Sequence, residues 1–304
     1  MNGVIVINKP QQFTSFDVVA VMRRLCGQRK IGHTGTLDPM ATGVLPILLG
    51  NATRAQDILP DSDKEYEAGF MLGKTTDTLD IWGETVSENG SSVLQNDIAN
   101  VLPEFTGDIS QTPPMYSAVK KDGVRLYDLA RKGIEVEREP RMVRISELEL
   151  LSFDEETQTG KLRILCSKGT YVRSLIDDIG QSLGCGAVMT SLVRTKACGF
   201  TLEDARSLDE IKDLTNAGAE SEKALALLRT TELLFDGYRR ITVSEAQAKR
   251  FSNGGALSLD KLYAKGLVDG QLVRICGRES GFIGLAKIDT EKTAAVIYKL
   301  FPRI

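Results

Sequence analysis

A single histidine, His33, stands among the 304 residues. That excludes metal sites built on several histidine ligands, and any hydrolytic triad would have to use that one residue. Cysteine is sparse as well. Cys26, Cys166, Cys185, Cys198 and Cys276 are odd in number, widely spaced, and include no C-x-x-C pair. They read as small core residues in a reducing, cytoplasmic compartment rather than as a disulfide framework or a zinc site. No apolar run at the N-terminus is long enough for a signal peptide or a membrane span, so Gly3 to Ile7 reads as a buried strand. Walker, dinucleotide and zinc motifs are missing, as are internal repeats and low-complexity tracts. Positive charge is not in excess: 38 Lys and Arg against 41 Asp and Glu leave a formal charge of −3. Such a balance does not advertise a nucleic-acid partner, but a binding face needs only a local excess. Basic pairs at Arg23-Arg24, Arg29-Lys30, Lys120-Lys121, Arg131-Lys132, Arg239-Arg240 and Lys249-Arg250 permit one.

What is present is ordinary globular composition, with 42% apolar and 26% charged residues, enough for one large domain and a small one. Thr14-Ser15-Phe16-Asp17 has the form of a capping box, and Val18, Val19, Met22 and Leu25 follow at helical spacing, with Gly27 as the stop. A glycine-rich loop from Gly32 to Gly43 leads into an apolar strand, Val44 to Leu49. Tyr66, Ala68, Phe70 and Leu72 alternate onto one face of a strand between Lys64 and Gly73. Leu94 to Leu102 reads as a helix ended by Pro103. Lys161 to Cys166 reads as a strand, and Val172, Leu175, Ile176, Ile179 and Leu183 form a helical stripe capped by Gly184. The mixture lacks regular βαβ alternation, so an α+β fold is expected. Past Phe235 the texture changes. A short capped helix, Ser244 to Phe251, precedes three strands at Gly266 to Cys276, Gly281 to Ile288 and Ala294 to Phe301. The expected division is 1–235 and a small β-rich module at 236–304.

The chemistry concentrates between Ile31 and Pro46, in Ile31-Gly32-His33-Thr34-Gly35-Thr36-Leu37-Asp38-Pro39-Met40-Ala41-Thr42-Gly43-Val44-Leu45-Pro46. Three glycines, an isolated carboxylate and the only histidine meet here beside an apolar strand. Glycine allows close backbone approach, and Pro39 pushes Asp38 out of helical geometry. Pattern alone leaves two readings of Asp38: a turn or cap residue, or an active-site carboxylate held on a loop.

This stretch closely resembles the catalytic motif of TruB-type pseudouridine synthases, G-H-x-G-T-L-D-P-x-A-x-G-V-L. Further family-like blocks follow in the family's order across roughly residues 3 to 200. They are Ile7-Asn8-Lys9-Pro10 with Thr14-Ser15, Asp63-Lys64-Glu65-Tyr66, Thr75-Thr76-Asp77-Thr78-Leu79-Asp80, Gln111-Thr112-Pro113-Pro114-Met115-Tyr116-Ser117-Ala118, and Cys166-Ser167-Lys168-Gly169-Thr170-Tyr171-Val172-Arg173. Leu192-Val193-Arg194-Thr195 departs from the expected L-R-R-T, with Val193 in place of an arginine.

The resemblance implies a mixed-sheet synthase core with flanking helices and a PUA-like C-terminal RNA-binding module. It implies isomerisation of the T-loop uridine at position 55 of tRNA, after base flipping, with Asp38 as nucleophile and no cofactor, metal or nucleotide. Attack at uracil C6 and attack at ribose C1′ both remain open. Tyr66 would stack on the target uracil and assist proton movement; the bare sequence reads it equally as a core tyrosine. Arg173 would pair with Asp38, where the sequence alone suggests a surface pair with Asp177 one helical turn on. Tyr171 and Leu192 would wall the base, and His33 would fill the space that the flipped uridine leaves. Arg54 and Lys9 would complete the substrate contacts. The implied partner is the tRNA T-arm, with no membrane and no obligate protein partner, and assistance to tRNA folding could accompany catalysis. Two rivals remain. A non-catalytic tRNA-folding factor on the same fold could dispense with Asp38, Tyr66 and Arg173. A nucleoside hydrolase would want a second acid, for which no motif stands out.

Overall fold

The computed structural model describes residues 1–60, 63–215, 222–262 and 264–301. Nine strands form one sheet: β1 (Gly3–Lys9), β2 (Ile31–His33), β3 (Thr42–Leu49), β4 (Lys64–Leu72), β5 (Gly107–Gln111), β6 (Arg141–Asp154), β7 (Thr159–Cys166), β8 (Ala187–Ala197) and β9 (Phe200–Thr201). Their spatial order is β1-β3-β8-β4-β7-β6-β5, with β2 paired to β3 and β9 to β8. All pairings are antiparallel except β3 with β8. This is the mixed sheet of an α+β fold.

Side-chain alternation divides the core. Ile5, Ile7, Leu45, Ile47 and Leu49 point with Tyr66, Ala68, Phe70 and Leu72 into one cluster. Helices α1 (Ser15–Leu25), α2 (Gln95–Val101) and α4 (Val172–Ser182) contribute to it; α3 (Leu126–Ala130) is a short turn in the 112–140 segment. Val4, Val6, Val44 and Leu48 point the other way, against Phe200, Leu234 and Phe235. The cap of α1 is built as its sequence suggests. The Thr14 hydroxyl accepts from the Asp17 amide, and the Asp17 carboxylate accepts from the Thr14 amide. Gly27 follows the helix at φ 58°.

Three expectations need correction. The glycine-rich loop is shorter than it reads, because Ile31–His33 pairs with β3. Pro103 ends α2, yet the chain turns on through a 3-10 segment, Leu102–Phe105, whose first turn tolerates a residue with no amide donor. The first long strand of the C-terminal module begins at Leu272 rather than Gly266.

The last part of the chain makes a second, five-stranded sheet from Arg239–Val243, Leu257–Ser258, Leu272–Gly277, Gly281–Asp289 and Ala294–Leu300. The helix Glu245–Ser252 begins at a Ser244/Gln247 capping box. This sheet has its own core around Ile241, Phe251, Val273 and Ile275. It docks on the first through Phe282, Leu285 and Phe301, which pack with Phe235 and the outer face of β1 and β3. Among the described residues no helix is long and apolar enough to cross a membrane.

Candidate active site

The loop between β2 and β3 is pinned from three sides. At Leu37 the amide donates to the Ser15 hydroxyl at 2.8 Å, and that hydroxyl donates back to the Leu37 carbonyl. At Pro39 the carbonyl accepts from the Gln12 amide. Buried Leu37, Met40 and Ala41 anchor the loop from beneath. Asp38 is left on top, with its own carbonyl closing a turn to the Ala41 amide.

Arg173 meets it from the first turn of α4. Its Nη2 lies 2.9 Å from Asp38 Oδ2 and donates to the Tyr116 carbonyl. Nη1 donates to the Thr78 carbonyl at 2.8 Å and lies 3.8 Å from Asp80 Oδ2. One planar fork thus ties four segments together, which suits arginine and not lysine. The side chain of Arg173 is 4% exposed and that of Asp38 38%. The carboxylate is therefore charge-compensated from behind and open in front. The surface pair with Asp177 is not made; Asp177 accepts from Gln181 instead. Gln111 fixes the start of α4 by bonding both the amide and the carbonyl of Tyr171. Burial raises the pKa of Asp80, against the pull of the Thr78 hydroxyl and Arg173. Leu79, between Thr78 and Asp80, sits at φ 62°, a left-handed conformation costing about 1–2 kcal/mol. Backbone bonds from Met189 and Ile81 clip this segment to β8, and the twist aims both its neighbours at Arg173.

Asp38 opens into a cleft of about 480 Å³, walled by Tyr66, Tyr171, Leu192, Lys64 and Ser117. That size is typical of a small-molecule site. In the register of β8 with β4, Arg194 lies opposite Tyr66 and Leu192 opposite Ala68, which puts all four on one face. Val193 alternates to the other face, so an arginine there would point away from the cleft. Burial raises the pKa of the Tyr66 hydroxyl, while Arg194 beside it acts to lower it.

The remaining candidates fall elsewhere. His33 is buried next to the cleft, its ring edge-on to exposed Phe16 at 5.7 Å, and its Nδ1 has no hydrogen-bond partner among the described residues. Its pKa is lowered by burial and then by Arg194. Lys9 corrects the expectation of a substrate contact: it is fully buried and its ammonium donates to the carbonyls of Pro10, Phe13 and Pro39. Burial pulls its pKa down to about 8. Arg54 is also displaced from the cleft. It is exposed and donates to the Leu300 carbonyl of the second sheet. Sequence reasoning gave no role to Arg194, Gln111, Lys64 or Asp80. The quoted blocks around them were the available signal. Among the described residues no cluster of three metal-ligating side chains occurs.

The whole architecture has solved counterparts. The chain superposes with a TM-score of 0.77 on a crystal structure of a Cbf5-Nop10-Gar1 complex, at 28% identity, covering 99% of this chain and 85% of that one. It superposes at 0.76 on an H/ACA RNP bound to a substrate RNA containing 2′-deoxyuridine, at 25% identity with the same coverage. Residues 23–172 match the profile described as TruB family pseudouridylate synthase, N-terminal domain. Fold and profile together define a pseudouridine synthase, an isomerase. Residues 173–234 match the tRNA pseudouridylate synthase B C-terminal domain, and residues 240–295 match pseudouridine synthase II TruB, C-terminal. The tRNA pseudouridine synthase B of Clostridium perfringens is 42% identical over 290 residues, 95% of this chain and 96% of that protein. The one from Pseudomonas fluorescens is 43% identical over 291 residues, 96% and 93%. The chain belongs to the TruB family.

Proposed function

We propose that this synthase isomerises the T-loop uridine at position 55 of tRNA to pseudouridine, with Asp38 as nucleophile. The observation that carries the reading is the 2.9 Å pair of Asp38 with buried Arg173 at the floor of an aromatic and apolar cleft. A stacked uridine hides C6 and C1′ from any protein carboxylate, so the nucleotide must first turn out of its stack, at a cost of a few kcal/mol. Tyr66, Tyr171 and Leu192 then hold the uracil by its faces. The Asp38 carboxylate, held by Arg173, attacks C6 or C1′. The N1–C1′ bond breaks, the uracil turns within the cleft, and a C5–C1′ bond forms; the bond to Asp38 breaks again to free the carboxylate, and the proton lost from C5 is balanced by one gained at N1. Atoms balance without redox partner or leaving group. The Tyr66 hydroxyl, un-ionised by burial and facing Arg194, is suited to relay that proton. His33, under Phe16, would fill the gap in the T-loop. Recognition would rest on the shape of the folded loop, a grip that would also assist tRNA folding. We assign residues 1–235 to the catalytic unit and 236–304 to an RNA-binding module that acts on phosphates.

The test is incubation with unmodified tRNA transcripts, without added metal or nucleotide, followed by mapping of pseudouridine. One new pseudouridine in the T-loop is expected. Conversion only at another site would overturn the target, and undiminished conversion by Asp38→Asn would overturn the nucleophile.

A further inference from the structure

Arg194 has no part in the roles assigned above, yet it is among the largest fully buried side chains, at 1% exposure. Its Nε donates to the Val44 carbonyl at 2.8 Å, Nη2 to Gly35 at 3.2 Å, and Nη1 to Thr36 at 3.5 Å. No carboxylate pairs with it among the described residues. A buried cation without an anion weighs against folding, and an apolar residue could fill the space at less cost. What the cation touches gives a reason for its presence. Gly35 and Thr36 enter the loop that carries Asp38, and Val44 leaves it, so one guanidinium holds both ends of that loop. The strand carrying Arg194 also sets it opposite Tyr66, beside the phenol hydroxyl. Gly43 shows how tight the fit is. At φ 103°, a Cβ there would fall 2.3 Å from the Arg194 carbonyl oxygen.

We propose that Arg194 is a positioning residue for the isomerisation, one that draws the two ends of the nucleophile loop together and orients the Tyr66 hydroxyl toward the same substrate. The proposal rests on the assignment of Asp38 and Tyr66 made above. The geometry requires a fork: an ammonium is a point charge on a flexible stem and cannot hold three carbonyls that lie around a plane. Arg194→Lys therefore keeps the charge and removes the geometry.

The experiment compares the full chain with Arg194→Lys in three measurements: tRNA affinity, single-turnover rate at saturating enzyme, and amide exchange without RNA. Affinity is expected to stay within about threefold while the rate falls at least about thirtyfold, since a misplaced reacting group loses rate without losing binding. The Leu37 and Ala41 amides, which bond to Ser15 and Asp38, should exchange at least about tenfold faster, with β4 and β7 still protected. Arg194→Gln is the second variant, and should reproduce the pattern if Arg194→Lys does not fold. A wild-type rate in Arg194→Lys overturns the proposal. So does a rate loss matched by equal losses of affinity and of protection throughout the sheet, which would make Arg194 merely structural. The exchange measurement needs no RNA. A wild-type chain inactive on tRNA, with a loop that still loosens in the variant, would count against the substrate and not against Arg194.

Discussion

Arg173 donates to two carbonyls and faces two carboxylates, so its loss and the loss of Asp38 have different consequences. Asp38→Asn leaves Asp80 and both carbonyls in place around the guanidinium. Its melting temperature should move little, while the single-turnover rate falls at least about a thousandfold, on the order of 4 kcal/mol of lost transition-state stabilisation. Retention of a tenth of the wild-type rate would contradict the nucleophile assignment. Tyr66→Phe separates stacking from proton movement. The ring survives, so affinity should hold, and a fall in single-turnover rate would locate the defect in the hydroxyl. An unchanged rate would reduce Tyr66 to a wall of the cleft.

Among the elements, the most local devices are legible in the sequence: the capping box of α1, the alternation of β4, the stripe of α4 with its glycine stop. Each follows from short-range chemistry. The longest strands are not. β6 runs over 14 residues with most of its side chains outside the core, so its alternation carries little hydrophobic signal. In β8 the register shifts between Met189 and Ser191 and again between Arg194 and Lys196, and a charged residue occupies its buried face. Period-two patterning cannot survive that. Without β8 neither the partner of Tyr66 nor the role of Arg194 could be read. Asp38 and Arg173, on separate elements, were brought together by resemblance and not by pattern. Helix α4 also carries a pH-dependent weakness. Burial, and then neighbouring Asp177, raise the pKa of Asp178 to about 6. With the folded-state value above the unfolded one, its stabilising contribution is complete only when both states are protonated, below the ordinary aspartate range. It is lost as pH rises through about 6. Asp178→Asn should therefore match wild type near pH 3 and exceed it by about 1 kcal/mol near pH 8, allowing for partial solvent screening. Denaturant titrations at the two pH values would show it, and equal gains at both would refute the burial argument.

At the scale of the whole molecule, a net charge of −3 must be reconciled with a polyanionic substrate. Several of the basic side chains in the second sheet are already engaged. Arg240 and Arg274 both pair with Glu232, and Arg239 bonds the Lys265 carbonyl. Lys249 and Arg250 are exposed in the last turn of the helix Glu245–Ser252, where Arg250 also donates to the Ala256 carbonyl. Replacing both by Gln should make the slope of log K against log salt shallower by about 1 to 2, with the single-turnover rate at saturation unchanged. An unaltered slope would show that this face of the module does not touch RNA. Deleting the module is the poorer test, because Phe282, Leu285 and Phe301 cover the outer face of β1 and β3, and their removal would bare that face to solvent.

The position of β8 in the sheet governs how the enzyme can be made. Among the described residues it is the one strand that links two groups, β1 and β2 with β3 on one side and β4, β7, β6 and β5 on the other. β3 and β4 are both complete by residue 72, whereas β8 spans Ala187–Ala197. Until β8 is made, any pairing within the two groups would leave the facing edges of β3 and β4 with unpaired amides and carbonyls, open to each other and to neighbouring chains. Asp38 and Tyr66 leave the ribosome early but belong to different halves. In the finished sheet this late strand lies between the two halves and carries Arg194. A polypeptide halted before Ala187 is expected to be both inactive and prone to aggregate, because it lacks the strand that joins the two groups.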